Sequence, residues 1–380
     1  MKVVIAVDSF KGSMTSMEAG EAVKRGVLAA GPADVIVKPL ADGGEGTTEA
    51  LVTGLGGEFR EVTVQGPLGV PVTARYGVLP DGKTAVMEMA EAAGIVLVPR
   101  DLLDPWHAST FGVGEMILDA VNAGYREFIM GIGGSATTEG GIGMLSALGF
   151  VFYDSNGRKL PPVFESLGKV ARISAENVPD ALLSCRFRVA CDVENPLFGE
   201  RGAVAVFGPQ KGVKPSEIAE MDDCMRHYAS IAESFSKKAC ADVPGAGAAG
   251  GLGFAFLNFL PSTELRSGIG IVLDAVGLED AVRDADYVIT GEGRLDGQTA
   301  MGKVPVGVAR LAKQYGCTVL AFAGSIGDGA ALCNAAGIDA YFPILRGITT
   351  LDAAMDPGTA QRNMALAVEQ VFRLLHCERL

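Results

Sequence analysis

Asp8, Asp42, Asp192, Glu292 and Asp296 stand where apolar runs break off or in glycine-rich turns. Grouped carboxylates can hold Mg²⁺ and deprotonate a hydroxyl, two tasks that phosphoryl transfer sets a protein. Taken singly, each acid is as readily a cap or turn residue; convergence of several on one cleft would make them a site. A cation that could meet a phosphate is Lys303. It closes Gly297-Gln298-Thr299-Ala300-Met301-Gly302-Lys303, which fits G-x-x-x-x-G-K, but Val304 stands where a P-loop needs Ser or Thr, and no strand leads directly in. The segment is therefore not a Walker motif. Lys303 at a helix start is either a point charge for phosphate or a solvated lysine.

Other chemistries find less support. Gly245-Ala246-Gly247-Ala248-Ala249-Gly250 fits G-x-G-x-x-G, yet Pro244 precedes it and no buried strand leads in, so a turn into a helix accounts for it better than a dinucleotide fingerprint. Ser9, Ser135 and Ser325 lie at strand ends, but none sits in a G-x-S-x-G elbow, and His107, His227 and His376 each read as structural, which leaves a Ser-His-Asp hydrolase without its base. Two segments echo one another: Asp42-Gly43-Gly44-Glu45-Gly46 and Glu139-Gly140-Gly141-Ile142-Gly143, each leading into a helical pattern. Exposed amides there suit an anion or an ordered metal; helix capping by an acid with glycine turns is the equal alternative.

The elements that must position these residues alternate. Short apolar runs at Val3–Val7, Phe128–Met130, Val189–Cys191, Tyr287–Thr290 and Val319–Ala323 end in Gly, Asp or Ser, and helical patterns such as Met17–Ala30, Val113–Ala123 and Val304–Tyr315 lie among them. Continuous apolar runs of this length suit strands buried on both faces, and the alternation implies parallel βαβ units whose ligands bind at the strands' carboxyl ends. Residues 65–85 differ: Gln65-Gly66-Pro67-Leu68-Gly69, alternating Val70, Val72 and Ala74, then Pro80-Asp81-Gly82-Lys83 are hairpin chemistry. Strands near 3–7, 35–38, 286–290, 318–323 and 340–344 thus frame one five-stranded parallel domain, residues 1–64 and 280–380. It is interrupted by an inserted domain at 65–279, with the active site expected in the cleft between the two.

At 380 residues the chain is long enough for two such cores. Its net charge of −13 argues against a nucleic-acid surface, which needs clustered Lys and Arg, and favours a small-molecule partner. No apolar run reaches the roughly 18 residues that cross a bilayer, and Met1-Lys2-Val3 opens no signal peptide. Seven cysteines without a C-x-x-C pair support neither disulfides nor zinc, so a reducing cytoplasm is expected. The sequence assigns no oligomeric state.

The chain resembles the type 1 glycerate kinases, bacterial enzymes that phosphorylate D-glycerate with ATP, commonly at the 2-hydroxyl. The resemblance rests on Asp8-Ser9-Phe10-Lys11-Gly12-Ser13, Ala41-Asp42-Gly43-Gly44-Glu45-Gly46-Thr47, Gly131-Ile132-Gly133-Gly134-Ser135-Ala136-Thr137 and Cys191-Asp192-Val193-Glu194-Asn195-Pro196-Leu197. Three more blocks carry it: Val206-Phe207-Gly208-Pro209-Gln210-Lys211-Gly212, the run Gly245–Gly253, and Ile289–Thr299. It implies a flavodoxin-like parallel domain interrupted by a second α/β domain, which is expected to carry a mixed sheet. Two positions depart from the family's pattern. Val7 stands for a usual Pro, and Thr138-Glu139 for Asn-Asp, where the added methylene argues against a precise contact at Glu139.

Charge and strand-end position suggest the roles. Asp192 is the candidate general base or, with Glu292, a metal carboxylate. Lys11 and Arg294 would bind the glycerate carboxylate or a phosphate, with Ser9, Asp42 and Asp296 beside the substrate. Gly133, Gly134, Ser135 and Thr137 would offer donors to nucleotide phosphates, with Gly291 and Glu292 also on the nucleotide, and Lys303 would neutralise charge on the transferring group. ATP and Mg²⁺ are the expected cofactors and 2-phosphoglycerate the favoured product. A phosphatase of small phosphorylated acids and a ligand-binding sensor are the rival readings.

Overall fold

The computed structural model describes residues 1–41 and 46–377. It divides into two compact units, Met1–Leu55 with Ile269–Leu380, and Gly56–Gly268. Asp42, and with it one copy of the acid-glycine echo, lies outside the described residues. No helix of the described residues is long and apolar enough to cross a membrane.

In chain order the first unit opens with β1 (Lys2–Ile5) and β2 (Asp34–Val37). The second unit then supplies β3 (Glu58–Gln65), β4 (Pro71–Val78), β5 (Thr84–Glu88), β6 (Glu127–Gly131), β7 (Val151–Tyr153), β8 (Arg172–Ser174), β9 (Arg186–Ala190) and β10 (Thr263–Arg266). The first unit resumes with β11 (Tyr287–Leu295), β12 (Thr318–Ile326) and β13 (Ala340–Pro343).

The first unit's sheet has five parallel strands in the order β13-β12-β11-β1-β2. Counted within that unit the order is 2-1-3-4-5, the flavodoxin-like arrangement, with its switch point between β1 and β11. Val3, Val4, Ile5, Ala6 and Val7 are all fully buried, as a central strand covered on both faces requires. The helix Ser16–Ala30 starts at a capping box, Glu18 N donating to Thr15 Oγ1 at 3.2 Å and Thr15 N to Glu18 Oε2 at 2.8 Å. Its Gly26 lets the helix Pro357–Cys377 approach so closely that an added Cβ would lie 2.4 Å from Ala365 O.

β11 and β12 run further than the apolar runs predict. Gly291-Glu292-Gly293-Arg294, expected as a loop after the strand, lies within β11, because Glu292, Arg294 and Leu295 keep their register with Ala323, Ser325 and Ile326. At Gly291 the neighbouring chain leaves no room for a side chain: a Cβ would sit 2.1 Å from Phe322 O. The glycine that reads as a turn is a close approach.

The second unit's sheet runs β10-β9-β6-β5-β4-β3, with β5, β6, β9 and β10 parallel and β3, β4 and β5 antiparallel, a mixed sheet as expected. The hairpin chemistry is realised as two successive turns, β3 to β4 and β4 to β5. Because β3 already belongs to this sheet, the second unit begins before residue 65. Phe128, Phe187 and Phe256 lie in its core, which is buried throughout.

Candidate functional site

In the first unit the candidate residues of the β1 loop lie beside the β1–β11 switch point. Asp8 N donates to Gly291 O at 2.9 Å, which carries the β1 segment past its strand alongside β11. The Asp8 side chain is 8% exposed and accepts Ser9 N at 2.6 Å. Next comes a tight reversal: Phe10 and Met14 bridge one another, Gly12 takes φ +77°, and both apolar residues are buried. Lys11, at the tip between those anchors, is exposed. Ser16, inside the helix that follows, donates Oγ to Val7 O at 2.7 Å and accepts Leu40 N at 2.8 Å, so one hydroxyl ties the ends of β1 and β2 together. A pocket of about 210 Å³ lies over this tie, lined by Asp8, Ser9, Lys11 and Ser16 among others.

Further along the same unit, Glu292 is 8% exposed, and its Oε1 accepts the Thr299 hydroxyl at 2.5 Å. Thr299 Oγ1 in turn accepts Asp296 N at 3.1 Å, so a fully buried hydroxyl that sequence reasoning did not single out ties the Glu292 carboxylate to the main chain at Asp296. Arg294 is exposed and pairs through Nε with Asp296 Oδ2 at 3.4 Å. Lys303 is exposed at the N-cap of the helix Val304–Gln314. That is the helix end where a cation is disfavoured and an anion stabilised.

In the second unit the parallel strands end level with one another: Glu88 pairs with Gly131, Gly131 with Ala190, and Ala190 with Arg266. The loop after β6 and the segment after β9 leave this edge side by side. Asp192 is exposed, and its Oδ1 accepts Gly268 N at 3.0 Å. Gly133 and Gly134 are exposed; Gly134 takes φ +72°, whereas a Cβ on Gly133 would meet nothing within 4 Å. The protein's own packing thus does not demand glycine at 133, while a ligand approaching the backbone would. Ser135 is 7% exposed, and Thr137 is fully enclosed.

Behind this loop lies a charged arrangement whose parts come from distant segments. Lys211 is 2% exposed and donates Nζ to Ser135 Oγ and to Thr137 O, both at 2.6 Å. Burial holds its ammonium down to about 7, the nearby Glu139 carboxylate opposing that fall. Glu139 is 1% exposed and accepts four donors: Thr110 N at 2.7 Å, Thr110 Oγ1 at 2.6 Å, Gly141 N at 2.6 Å and Gly143 N at 3.2 Å. Burial pushes its carboxyl above the usual range, and these donors pull the other way. The expectation of a loose contact at Glu139 is therefore corrected: the extra methylene carries the carboxylate into a fully built cap. In this copy of the acid-glycine echo the capping reading holds, since two of the donors belong to the start of the helix Ile142–Ala147.

The glycine-rich run 245–251 buttresses the same loop. Gly250 and Gly251 take φ +70° and +95°, and added Cβ atoms would strike Thr137 O at 2.2 Å and Gly140 Cα at 2.8 Å. Its glycines serve close packing, in keeping with the rejection of a dinucleotide fingerprint.

The chain matches the model of the glycerate kinase family over residues 3–376. It is 46% identical over 370 residues to the glycerate kinase of Halalkalibacterium halodurans, covering 96% of this chain and 97% of that one. To the glycerate 2-kinase of Escherichia coli K12 it is 46% identical over 355 residues, 93% of each chain. A crystal structure of the protein assigned as glycerate kinase 2 in Salmonella typhimurium LT2 superposes with a TM-score of 0.90 at 42% identity, covering 100% of this chain and 99% of that one.

Proposed function

The chain belongs to the glycerate kinase family, and from that premise we propose that it transfers the γ-phosphoryl group of ATP to the 2-hydroxyl of D-glycerate, yielding 2-phosphoglycerate and ADP. The observation that carries the reading is the crevice beyond the carboxyl ends of β1 and β2, beside the switch point of the five-stranded sheet, where Asp8, Ser9 and Lys11 line a pocket of about 210 Å³. Such crevices, at the carboxyl ends of parallel strands, take small ligands.

Lys11 and Arg294 hold the glycerate carboxylate, a cationic task that an acidic protein must assign locally, with Ser9 and Asp296 about the substrate. Asp192 accepts the proton of the 2-hydroxyl, its carboxylate steadied by the Gly268 N–H. The hydroxyl oxygen forms the new bond to γ-phosphorus as the bond to the β-phosphate bridging oxygen breaks, and ADP leaves with that electron pair. The amides of Gly133 and Gly134 and the Ser135 hydroxyl receive phosphate oxygens, and Thr137 braces them through its carbonyl on Lys211. Gly291 and Glu292 contribute to nucleotide binding. Lys303 neutralises charge on the transferring group.

Among the described residues no cluster of three or more His, Cys, Asp or Glu side chains is placed to hold a metal ion. Mg²⁺ does not demand one, since it binds through one or two carboxylates and takes its remaining ligands from substrate phosphates and water. The donors fit: of the two carboxylates read as metal ligands, Glu292 would hold the ion and Asp192 serves as the base. When bound, Mg²⁺ would offset the charge of the triphosphate.

Incubation with ATP, Mg²⁺ and D-glycerate, followed by phosphorus NMR, is expected to give 2-phosphoglycerate and ADP in equal amounts. Formation of 3-phosphoglycerate would overturn the position of transfer. Release of inorganic phosphate from 2-phosphoglycerate, without nucleotide turnover, would establish the phosphatase reading instead.

A further inference from the structure

We propose that Lys211 is a positioning residue of the phosphate-receiving loop: from within the core its ammonium occupies a lone pair of Ser135 Oγ and so directs that hydroxyl's proton toward the anion the loop receives. The inference rests on the reading of Gly133–Thr137 as the phosphate site. Four observations lead to it.

First, a hydroxyl carries one proton. Among the described residues Ser135 Oγ has one hydrogen-bond partner, Lys211 Nζ at 2.6 Å, and Lys211, while it keeps its proton, is an ammonium with only protons to give. The oxygen therefore accepts from Lys211, and its own proton remains to be donated. Second, the same ammonium grips the backbone of the loop through Thr137 O at 2.6 Å, so side chain and main chain are fixed together. Third, Lys211 itself is held rigidly. It lies in a single turn, Pro209–Lys211, between Gly208, where a Cβ would fall 2.3 Å from Val204 O, and Gly212 at φ +101°. Fourth, burial of this side chain is costly, and a buried cation normally exists with a partner or a task. Glu139 lies near enough to raise the lysine's proton affinity, but its oxygens are engaged by Thr110, Gly141 and Gly143. The lysine's own protons go to the loop. A charge-assisted hydrogen bond into Ser135 also polarises its O–H, making it a stronger donor.

The test compares Ser135→Ala, Lys211→Met and the double variant in steady-state kinetics with ATP and D-glycerate. Removing one preorganised donor to a phosphoryl group is expected to lower kcat/KM for ATP by about tenfold to a thousandfold, with KM for glycerate within about twofold. If Lys211 acts through Ser135, the double variant is no worse than the poorer single variant. Multiplied losses, or equal damage to glycerate binding, would make Lys211 merely structural and overturn the proposal.

A second measurement does not depend on Lys211→Met folding. Ser135→Cys sets a thiol against the ammonium, and the difference in thiolate ultraviolet absorbance from the parent protein follows its titration. An adjacent cation lowers such a thiol below about 8.5, whereas burial alone raises it. A raised thiol together with impaired Ser135→Ala overturns the role of Lys211 and leaves the loop's function standing. A lowered thiol with Ser135→Ala at full kcat/KM for ATP overturns the phosphate reading of the loop, and the proposal with it. A lowered thiol with impaired Ser135→Ala sustains both.

Discussion

Replacing Glu139 by Gln decides which of two opposed effects governs the buried cap. Removing a carboxylate from water costs several kcal/mol, and burial accordingly pushes this carboxyl upward. Against that stand four donors between 2.6 and 3.2 Å. Hydrogen bonds to a charged group contribute about 1.5–3 kcal/mol each, so together they supply roughly 6–12 kcal/mol by the same measure. Burial is the larger influence on the proton and the net shift is upward, yet every partner of the two oxygens donates, so the pocket is arranged for a carboxylate. Glutamine keeps the shape but only one acceptor oxygen. With its carbonyl at the Oε1 position, its amide N–H₂ confronts the Gly141 N–H; flipped, it confronts the N–H groups of Thr110 and Gly143. At least one buried donor is then unsatisfied, at about 1–3 kcal/mol, and the surviving bonds lose their charge assistance. Relief of desolvation returns part of this, leaving an expected loss of about 3 kcal/mol. Urea unfolding followed by circular dichroism measures it, and hydrogen exchange at Thr110, Gly141 and Gly143 locates it. A variant as stable as the parent, or more so, would refute the reasoning and mean that the native carboxyl is protonated.

Lys303→Met is expected to lower kcat by at least about tenfold, a loss near 1.4 kcal/mol, while KM for glycerate changes little; an unchanged kcat in steady-state assays refutes the charge-neutralising role. Lys211 has a folded pKa depressed from 10.5 to about 7, so above neutrality the unfolded chain binds a proton that the native protein lacks, and stability gains from this group as pH rises through that window. Measured as the difference between the parent and Lys211→Met, this gain should approach the order of 5 kcal/mol by pH 10.5, and a parallel pair of stability curves would exclude it. Gly26→Ala should destabilise despite a helix-propensity gain of about 1 kcal/mol, because the new Cβ would lie 2.4 Å from Ala365 O and 2.8 Å from Val368 Cβ. Overpacking of this kind costs about 1–3 kcal/mol, so the melting temperature should fall.

Local signals carried far in this chain, and their reach ended where contacts span long separations. The apolar runs located the central strands β1, β11 and β12, because strands buried on both faces must be continuously apolar, and the half-exposed edge strands β2 and β13 were placed with them. The same rule misjudged the ends of β11 and β12: Gly291, Gly293 and Gly324 look like turn residues, yet all three lie within the strands, Gly291 paired with Phe322 and backbone crowding both Gly291 and Gly324. β3 escaped notice since three of the four residues Glu58-Phe59-Arg60-Glu61 are charged and the segment lies exposed or half-exposed at the sheet's edge. The place of Asp8, Ser9 and Lys11 just beyond β1 was legible from the end of the apolar run. Lys211 was not, for its partner Ser135 lies 76 residues away, although a lysine between Gly208-Pro209 and Gly212 offered a clue: rigid punctuation on both sides holds a side chain for some purpose. Thr299 was hidden for a similar reason, its short side chain meaningful only once Glu292 and Asp296 turn toward it.

The interruption of the first unit sets a timetable for its birth on the ribosome. β1 pairs with β2 early, but its other neighbour is β11, Val3 lying opposite Tyr287. At about 5–20 residues per second, the intervening stretch takes roughly a quarter of a minute to a minute to emerge. For that interval a strand whose Val3, Val4 and Ile5 are apolar waits with one flank unpaired, an invitation to aggregation that chaperones exist to answer. The inserted lobe, whose chain is contiguous, can complete its own sheet meanwhile, so the segment that arrives second in the sequence is the one that folds first.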